Sequence, residues 1–211
     1  MSHIVLIGDI IASKEIADRL NFQKKFTDVL VKSNKTYYNS MISPLTLTIG
    51  DEFQTVLWEA TNLFNIINLI DRSIPEISLR YGIGLGKIDT EINPQSAIGM
   101  DGPAFHFART AVETARKEHK IYHFNCDNQF LQERINVMLD WIDITFKKWM
   151  PQRKEIFYQY QEKKTQRAIA QNLGITQPAV SQNVSDKAFK HVAVTQSIIE
   201  NELNYILQEK S

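Results

Sequence analysis

Two stretches of the sequence place a Gly-Asp pair directly after an apolar run. They are IVLIGDII at 4–11 and TLTIGDEFQTVL at 46–57. The first run is apolar throughout and predicts a buried central strand. The second alternates on both sides of Gly-Asp-Glu and predicts a β-hairpin. A tight turn suits Gly50 and Asp51, but it does not explain why two strands each end in an aspartate, which is a pattern typical of a metal site.

The elements that follow alternate between helix and strand. Ser13 can cap a first helix, and apolar residues at helical spacing predict a second helix within 59–72. The segment ISLRYGIGLGKI at 77–88 predicts a strand whose alternate glycines leave one face bare, so that another element can approach closely. A helix at 102–117 and a short strand at 121–124 come next. This order predicts an α+β sandwich with its helices on one face of the sheet.

From about residue 135 the sequence predicts helix throughout, so we divide the chain into domains at 1–135 and 136–211. The stretch QRAIAQNLGITQPAVSQNVS at 166–185 matches a helix-turn-helix. Gly174 can take the positive φ that the turn needs, and Thr176 is a good N-cap for the second helix. The alternative is a plain helical hairpin with a polar surface.

The second helix of this motif offers amides and hydroxyls that can read base edges in the major groove of double-stranded DNA. Between residues 147 and 190, nine Lys or Arg stand against three Asp or Glu, which suits a surface that meets phosphates. The predicted DNA-binding residues are Thr176, Gln177, Ser181, Gln182, Arg167 and Lys187.

The last segment carries apolar residues at heptad-like spacing: Val192, Ile199, Leu203 and Ile206. Such a helix packs on its twin in a homodimer or within its own chain, and the pattern leaves both possibilities open. Dimeric DNA readers need such an element, so we expect a homodimer.

Composition narrows the class of protein. A single cysteine, Cys126, excludes an internal disulfide and any site with several cysteine ligands. No apolar run approaches the ~18 residues of a membrane span, and the start of the sequence lacks a signal-peptide pattern. These features predict a cytoplasmic protein with no membrane partner.

Several stretches resemble the nucleotidyl cyclase palm fold. Residues 48–51, Thr-Ile-Gly-Asp, resemble the metal-binding hairpin of class III cyclases, and Gly-Asp-Glu-Phe at 50–53 resembles part of the diguanylate cyclase motif. Asp9 resembles the first metal aspartate, RYGIGLG at 80–86 a cyclase strand, and GPAFHFAR at 102–109 the helix that carries the catalytic Asn and Arg. Together with the helix-turn-helix, these motifs resemble the SatD family. The resemblance implies an α+β, cyclase/palm-like (ferredoxin-like) sandwich followed by an all-α helix-turn-helix domain.

The resemblance also implies a site. Asp9, Asp51 and Glu52 would bind Mg²⁺, and the backbone of four residues would line the phosphates of a nucleotide: Ile10, Ile11, Ala12 and Gly50. The catalytic candidates are His106, at the place of the cyclase asparagine, and Arg109, one place before the expected arginine. One place on a helix turns a side chain by ~100°. Leu47 replaces the adenine-selecting lysine, and Ile49 replaces the first glycine of the diguanylate motif.

Three functions fit these features. In the first, a DNA-binding transcriptional regulator has a cyclase-like N-terminal domain that binds a nucleotide or metal-nucleotide as effector. In the second, the chain is an active Mg-dependent nucleotidyl cyclase or nucleotidyltransferase with a DNA-targeting domain. In the third, the carboxylates serve only a turn and a strand end, and the first domain dimerises. The sequence keeps the metal-binding carboxylates of the cyclases but lacks some of their catalytic side chains, which favours the first function.

Overall fold

The computed structural model describes residues 1–12, 16, 18–48 and 51–209. Three residues singled out in the sequence lie outside the described residues: Ser13, Ile49 and Gly50. The strands are β1 (Ser2–Ile10), β2 (Met41–Leu47), β3 (Glu52–Leu57), β4 (Leu79–Lys87) and β5 (Tyr122–Cys126). The helices are α1 (Arg19–Thr36), α2 (Leu63–Ser73), α3 (Pro103–Lys117), α4 (Gln129–Lys147), α5 (Pro151–Gln161), α6 (Gln166–Leu173), α7 (Gln177–Ser185) and α8 (Lys187–Glu209).

The five strands form one mixed sheet in the order β2-β3-β1-β4-β5. The apolar strand β1 is central and antiparallel to both β3 and β4, and β5 runs parallel to β4. The predicted hairpin is confirmed, since β2 pairs antiparallel with β3 and Thr48 N donates to Glu52 O at 2.8 Å. The fold is therefore α+β, as expected.

Packing on the face of the sheet that α1 and α2 cover, called the first face here, explains why the first Gly-Asp pair contains Gly8. Gly8 lies opposite Phe53 in the ladder, and a Cβ on Gly8 would lie 2.1 Å from the Phe53 ring. Phe53 also makes an edge contact with Phe26 of α1, with ring centroids 5.5 Å apart. The two Gly-Asp stretches thus meet for a packing reason that is independent of any ligand.

The second face of the sheet is covered by α3. The side chains of Val5 and Ile7 pack there against Ala104 and Ala108 of that helix. The first face packs against α1 and α2, which contribute Phe26 among others to a separate core. Helices therefore lie on both faces, and the expectation of a single helical face was wrong.

The bare glycine face of β4 allows the close approach of α3. A Cβ on Gly84 would lie 2.2 Å from Ala104 O and 2.4 Å from Ala108 N, and one on Gly82 would lie 2.4 Å from Ala108 O. Both neighbours are helix backbone, which cannot yield as a flexible side chain can. The predicted close approach at these glycines is confirmed, and the approaching element is α3.

The C-terminal helices pack on the rest of the chain. One buried apolar cluster runs from Leu57 of β3 to Leu203 of α8. Asn204 Oδ1 accepts from Ala60 N at 2.6 Å, and Glu200 Oε1 accepts from Phe64 N at 3.0 Å. No described helix is long and apolar enough to cross a membrane.

The apolar series of α8 lies inside this core. Val192, Ile199 and Leu203 are fully buried within the chain, and Ile206 is partly buried against the same cluster. Dimerisation through these four residues is therefore wrong, and the alternative of packing within the same chain is what the structure shows.

Gly84→Ala should destabilise the protein by about 1–3 kcal/mol, because the added methyl group forces α3 away from the sheet. Urea unfolding followed by circular dichroism measures this change. Gly86→Ala should destabilise the protein less, since its Cβ would lie 2.9 Å from Ala104 N rather than 2.2 Å from Ala104 O. Equal stability of wild type and Gly84→Ala would contradict the close approach.

Candidate functional site

A row of three charged residues crosses the end of the sheet on the α3 face. Asp9 of β1 lies directly opposite Glu52 of β3 and opposite Arg80 of β4. Residues paired in this way point to the same face, with Cβ atoms about 4.5–5.5 Å apart. Asp9 Oδ2 accepts a hydrogen bond from Arg80 Nη1 at 2.8 Å. The central strand thus brings one carboxylate between a second carboxylate and a guanidinium.

Helix α3 adds two further arginines to this row. Arg109 and Arg116 stand seven residues apart, which is two helical turns, so both project from one side of the helix. Arg116 Nη2 donates to Asp9 Oδ2 at 3.0 Å, and Arg109 Nη1 donates to Glu52 Oε2. The five residues of the strand-end cluster are Asp9, Glu52, Arg80, Arg109 and Arg116.

The strand-end cluster holds three positive charges against two negative ones. The hydrogen bond with Glu52 raises the pKa of Arg109, and the charges of Glu52, Glu113 and Asp9 act in the same direction. Asp9 and Arg80 are largely buried, and Arg80 Nε is a buried donor without a hydrogen-bond partner among the described residues. An unmet buried donor is costly, and an anionic ligand oxygen would satisfy it.

Asp51 contacts a different part of the chain from the strand-end cluster. Its carboxylate accepts from Arg19 Nη2 at 3.0 Å, at the start of α1. The two aspartates predicted to face one another are thus held by different arginines, and the cross-strand partner of Asp9 is Glu52 instead. Asp51 lies in the bend just before β3, outside the strand ladder, and its carboxylate contacts α1 instead.

The donor set of the strand-end cluster fits a magnesium ion in part. Among the described residues, no group of three or more His, Cys, Asp or Glu side chains is placed to hold a metal. Mg²⁺ nevertheless uses one or two carboxylates, with waters and phosphate oxygens completing its shell. Asp9 and Glu52 supply that number. Asp9 engages both of its arginines through Oδ2, so its Oδ1 can face a cation.

The predicted phosphate-lining backbone is only partly free. Ile10 belongs to the β1 ladder opposite Leu79, and Ile11 N donates to Ser78 O at 2.9 Å. The N–H of Ile11 is therefore committed within the protein. Ala12 has a φ of 58°, in the left-handed region that favours glycine, and such strain is often found at functional turns.

The two catalytic candidates have different surroundings. Arg109 belongs to the strand-end cluster through Glu52. His106 is well exposed, and its Nε2 lies 3.1 Å from Asp101 at the start of the same helix. The structure thus brings Arg109, and not His106, to the carboxylates.

Sequence reasoning gave no role to Arg80 or Arg116. The signal for Arg116 was its seven-residue distance from Arg109, which puts both on one side of α3. The signal for Arg80 was its place two residues before the first alternating glycine, Gly82, which puts it on the same bare face of β4. Neither spacing tells which carboxylates these arginines contact, since that depends on the register of the strands.

The segment with the predicted DNA contacts has the expected local geometry. Helices α6 and α7 are joined through Gly174, which has a φ of 64° and a ψ of 32°, and Thr176 Oγ1 caps α7 by accepting from Ala179 N. Gln177 donates to Gln166 Oε1 at 2.8 Å. The predicted contact residues are exposed except for Ser181, which is half-buried: Thr176, Gln177, Ser181, Gln182, Arg167 and Lys187.

Several solved structures are similar to part of the chain. A bacterial light-regulated adenylyl cyclase is 16% identical, with 58% of this chain and 74% of that chain covered and a TM-score of 0.45. A dimeric guanylyl cyclase domain from the aquatic fungus Blastocladiella emersonii is 18% identical over 54% and 73%, with a TM-score of 0.41. The guanylate cyclase domain of a protein from Catenaria anguillulae, in complex with GTP, is 18% identical over 54% and 72%, with a TM-score of 0.40.

These likenesses are too low in identity and superposition to carry any property of the cyclases to this chain. No curated protein matches the sequence. The family comparison is far more extensive, since the model of the SatD family matches residues 3–201. With nearly the whole sequence matched, the chain belongs to the SatD family.

Proposed function

We propose that the protein is a DNA-binding transcriptional regulator whose sheet domain binds a nucleotide or metal-nucleotide as effector. The observation that carries the proposal is the strand-end cluster, in which Arg80, Arg109 and Arg116 surround two carboxylates. Guanidinium groups bind phosphate oxygens in pairs of charge-assisted hydrogen bonds. Three of them at one sheet end suit a di- or triphosphate better than a single carboxylate ligand.

Binding would exchange partners within the strand-end cluster. Phosphate oxygens would take the guanidinium of Arg109 from Glu52 and that of Arg116 from Asp9. The freed carboxylates would then repel each other, which a cation relieves. Asp9 and Glu52 would hold a Mg²⁺ ion, which would supply that positive charge. Asp9 and Glu52 are the ligands best supported by their cross-strand pairing, and Asp51 is the third candidate.

The DNA-binding part of the proposal rests on α6, α7 and the turn between them. The exposed amides of Gln177 and Gln182 suit adenine edges, and the exposed cations of Arg167 and Lys187 suit phosphates. Helix α5 leads into α6, and its contacts with α2 join the DNA-binding segment to the part of the chain that contains the sheet. Arg72 of α2 holds both Glu155 and Glu162, with N–O distances of 2.5 and 2.6 Å.

An active Mg-dependent nucleotidyl cyclase or nucleotidyltransferase is the second candidate. The contact of Arg109 with Glu52 favours it, because a guanidinium beside metal-binding carboxylates can stabilise charge on a transferring phosphate. The outward position of His106 favours binding without turnover. Incubation with ATP or GTP and Mg²⁺, followed by chromatography for pyrophosphate and cyclic products, separates the two candidates.

Isothermal titration of the protein with ATP and GTP, each with and without Mg²⁺, tests the effector site. Arg116→Gln should weaken binding about tenfold under both conditions, since one charge-assisted phosphate contact is lost. Asp9→Asn should abolish only the gain from Mg²⁺. Asp51→Asn tests whether Asp51 is a third ligand of the cation. If Asp51 binds the cation, this variant should also lose the increase in affinity that Mg²⁺ gives. If Asp51 only stabilises the turn and pairs with Arg19, nucleotide binding should not change.

Arg167→Gln is the matched control for these titrations, since Arg167 is an exposed arginine on α6. It should bind nucleotides as the wild type does. If the wild type binds neither nucleotide under any of the four conditions, the effector part of the proposal is wrong, whereas the DNA-binding part is untouched.

Selection of binding sequences from random duplex DNA, followed by salt titration, tests the DNA-binding part. Gln182→Ala should relax preference at one base pair by about 1–3 kcal/mol. Lys187→Ala should weaken all sequences alike and flatten the salt dependence. Lys32→Ala, an exposed lysine on α1, is the control and should change neither. Absence of salt-dependent binding by the wild type, with and without nucleotide, would contradict this part.

A further inference from the structure

Helix α4 carries an apolar stripe on the side that faces away from the core. Phe130, Val137, Trp141 and Ile144 follow one another at spacings of seven, four and three residues, which keeps them on one side of the helix. All four are exposed, and Phe130 and Val137 expose 70% and 69% of their surface. A helix with its other side buried in the core rarely presents such a row to water.

Helix α8 continues the stripe alongside α4. Val194, Ile198 and Tyr205 are exposed on the side of α8 opposite to its buried series. Their spacing of four and seven residues again keeps them on one side of the helix. Together with the four residues of α4 they form the α4–α8 stripe.

Contacts between the two helices place their exposed sides next to each other. Trp149, just after α4, stacks on Phe189 near the start of α8, with ring centroids 5.6 Å apart. At the other end, Arg134 pairs with Glu202 and lies over the ring of Phe130 at 5.1 Å. The helices are therefore antiparallel, and the charged pair lies within the apolar row.

The size of the α4–α8 stripe fits a protein interface. Three of its seven side chains are aromatic, a type that carries about 150–250 Å² each, and with every side chain about half exposed or more the seven together present roughly 700 Å² of surface. The largest apolar patch of an ordinary monomer covers about 300–600 Å². A standard interface buries about 800 Å² on each partner. One further copy of the same surface therefore supplies the area that a stable dimer needs.

We infer that the α4–α8 stripe is the interface through which two copies of this chain associate by a two-fold axis. In such an interface each surface meets its own copy, so the surface must be complementary to itself. The Arg134–Glu202 pair gives the stripe one charge of each sign, which meets this requirement. Self-association through this face requires neither DNA nor a nucleotide.

The border of the stripe favours a protein over a lipid surface as the occupant. Glu133 is exposed one turn from Val137, and Lys148 is exposed one turn from Ile144. Helices that lie on membranes surround their apolar side with basic residues. The border of the α4–α8 stripe carries charges of both signs, as the rim of a protein interface does.

Light scattering after size exclusion, on the intact chain at micromolar concentrations and without DNA or nucleotide, measures the association. The intact chain should be a dimer. Val137→Glu and Ile198→Glu should each weaken the dimer about tenfold or more, because each would bury a carboxylate without a partner within the apolar interface. Circular dichroism and thermal unfolding should show that both variants keep the fold, since both positions are exposed.

Val31→Glu is the matched control, because Val31 is an exposed valine on α1 outside the stripe. It should remain dimeric. A monomeric intact chain overturns the inference, and so does a dimer that survives both stripe variants. Loss of the dimer in Val31→Glu as well would also overturn it, since the association would then not belong to this face. A monomer that sediments with vesicles of mixed anionic and neutral lipids would assign the stripe to membranes instead.

Discussion

The close approach of α3 to the glycine face of β4 is the constraint on which the rest of the structure depends. A side chain at Gly82 or Gly84 would enter the backbone of α3, so only glycine lets the helix lie this near. The same approach closes the second apolar core over the sheet. It also fixes how far Arg109 and Arg116 reach toward the strand ends. A packing requirement in one strand thus determines the charge arrangement of the candidate site.

Charge balance then explains how two carboxylates can stand opposite each other at the end of a buried sheet. Asp9 and Glu52 would repel each other if left alone, and three guanidinium groups remove that repulsion. The five residues of the cluster carry one positive charge more than negative charges, and Arg80 Nε is a buried donor without a hydrogen-bond partner in the described part of the chain. An anion would satisfy both features. Under the proposed function, the stability of the protein and its affinity for a phosphate ligand would therefore depend on the same arginines.

Local patterns predicted the strands, the hairpin, the close approach at the glycines and the turn at Gly174, because each depends on neighbouring residues. The partner of Asp9 could not be predicted, since it depends on the register between β1 and β3. Helix α8 posed a different difficulty. It carries apolar residues on two sides, and the sequence does not tell which side the core of the same chain takes. In the structure, the heptad-like series packs in that core, and the other apolar side of α8 is exposed.

A double-mutant cycle of Asp9→Asn and Arg116→Gln, measured by urea unfolding in the wild-type and Gly84→Ala backgrounds, tests the central claim most directly. The claim is that the close packing of α3 on β4 brings the residues of the strand-end cluster together. A coupling energy of about 0.5–1 kcal/mol is predicted in the wild-type background. In the Gly84→Ala background, where α3 is displaced, the coupling should vanish. Equal coupling in both backgrounds, or additive effects in the wild type, would contradict the account.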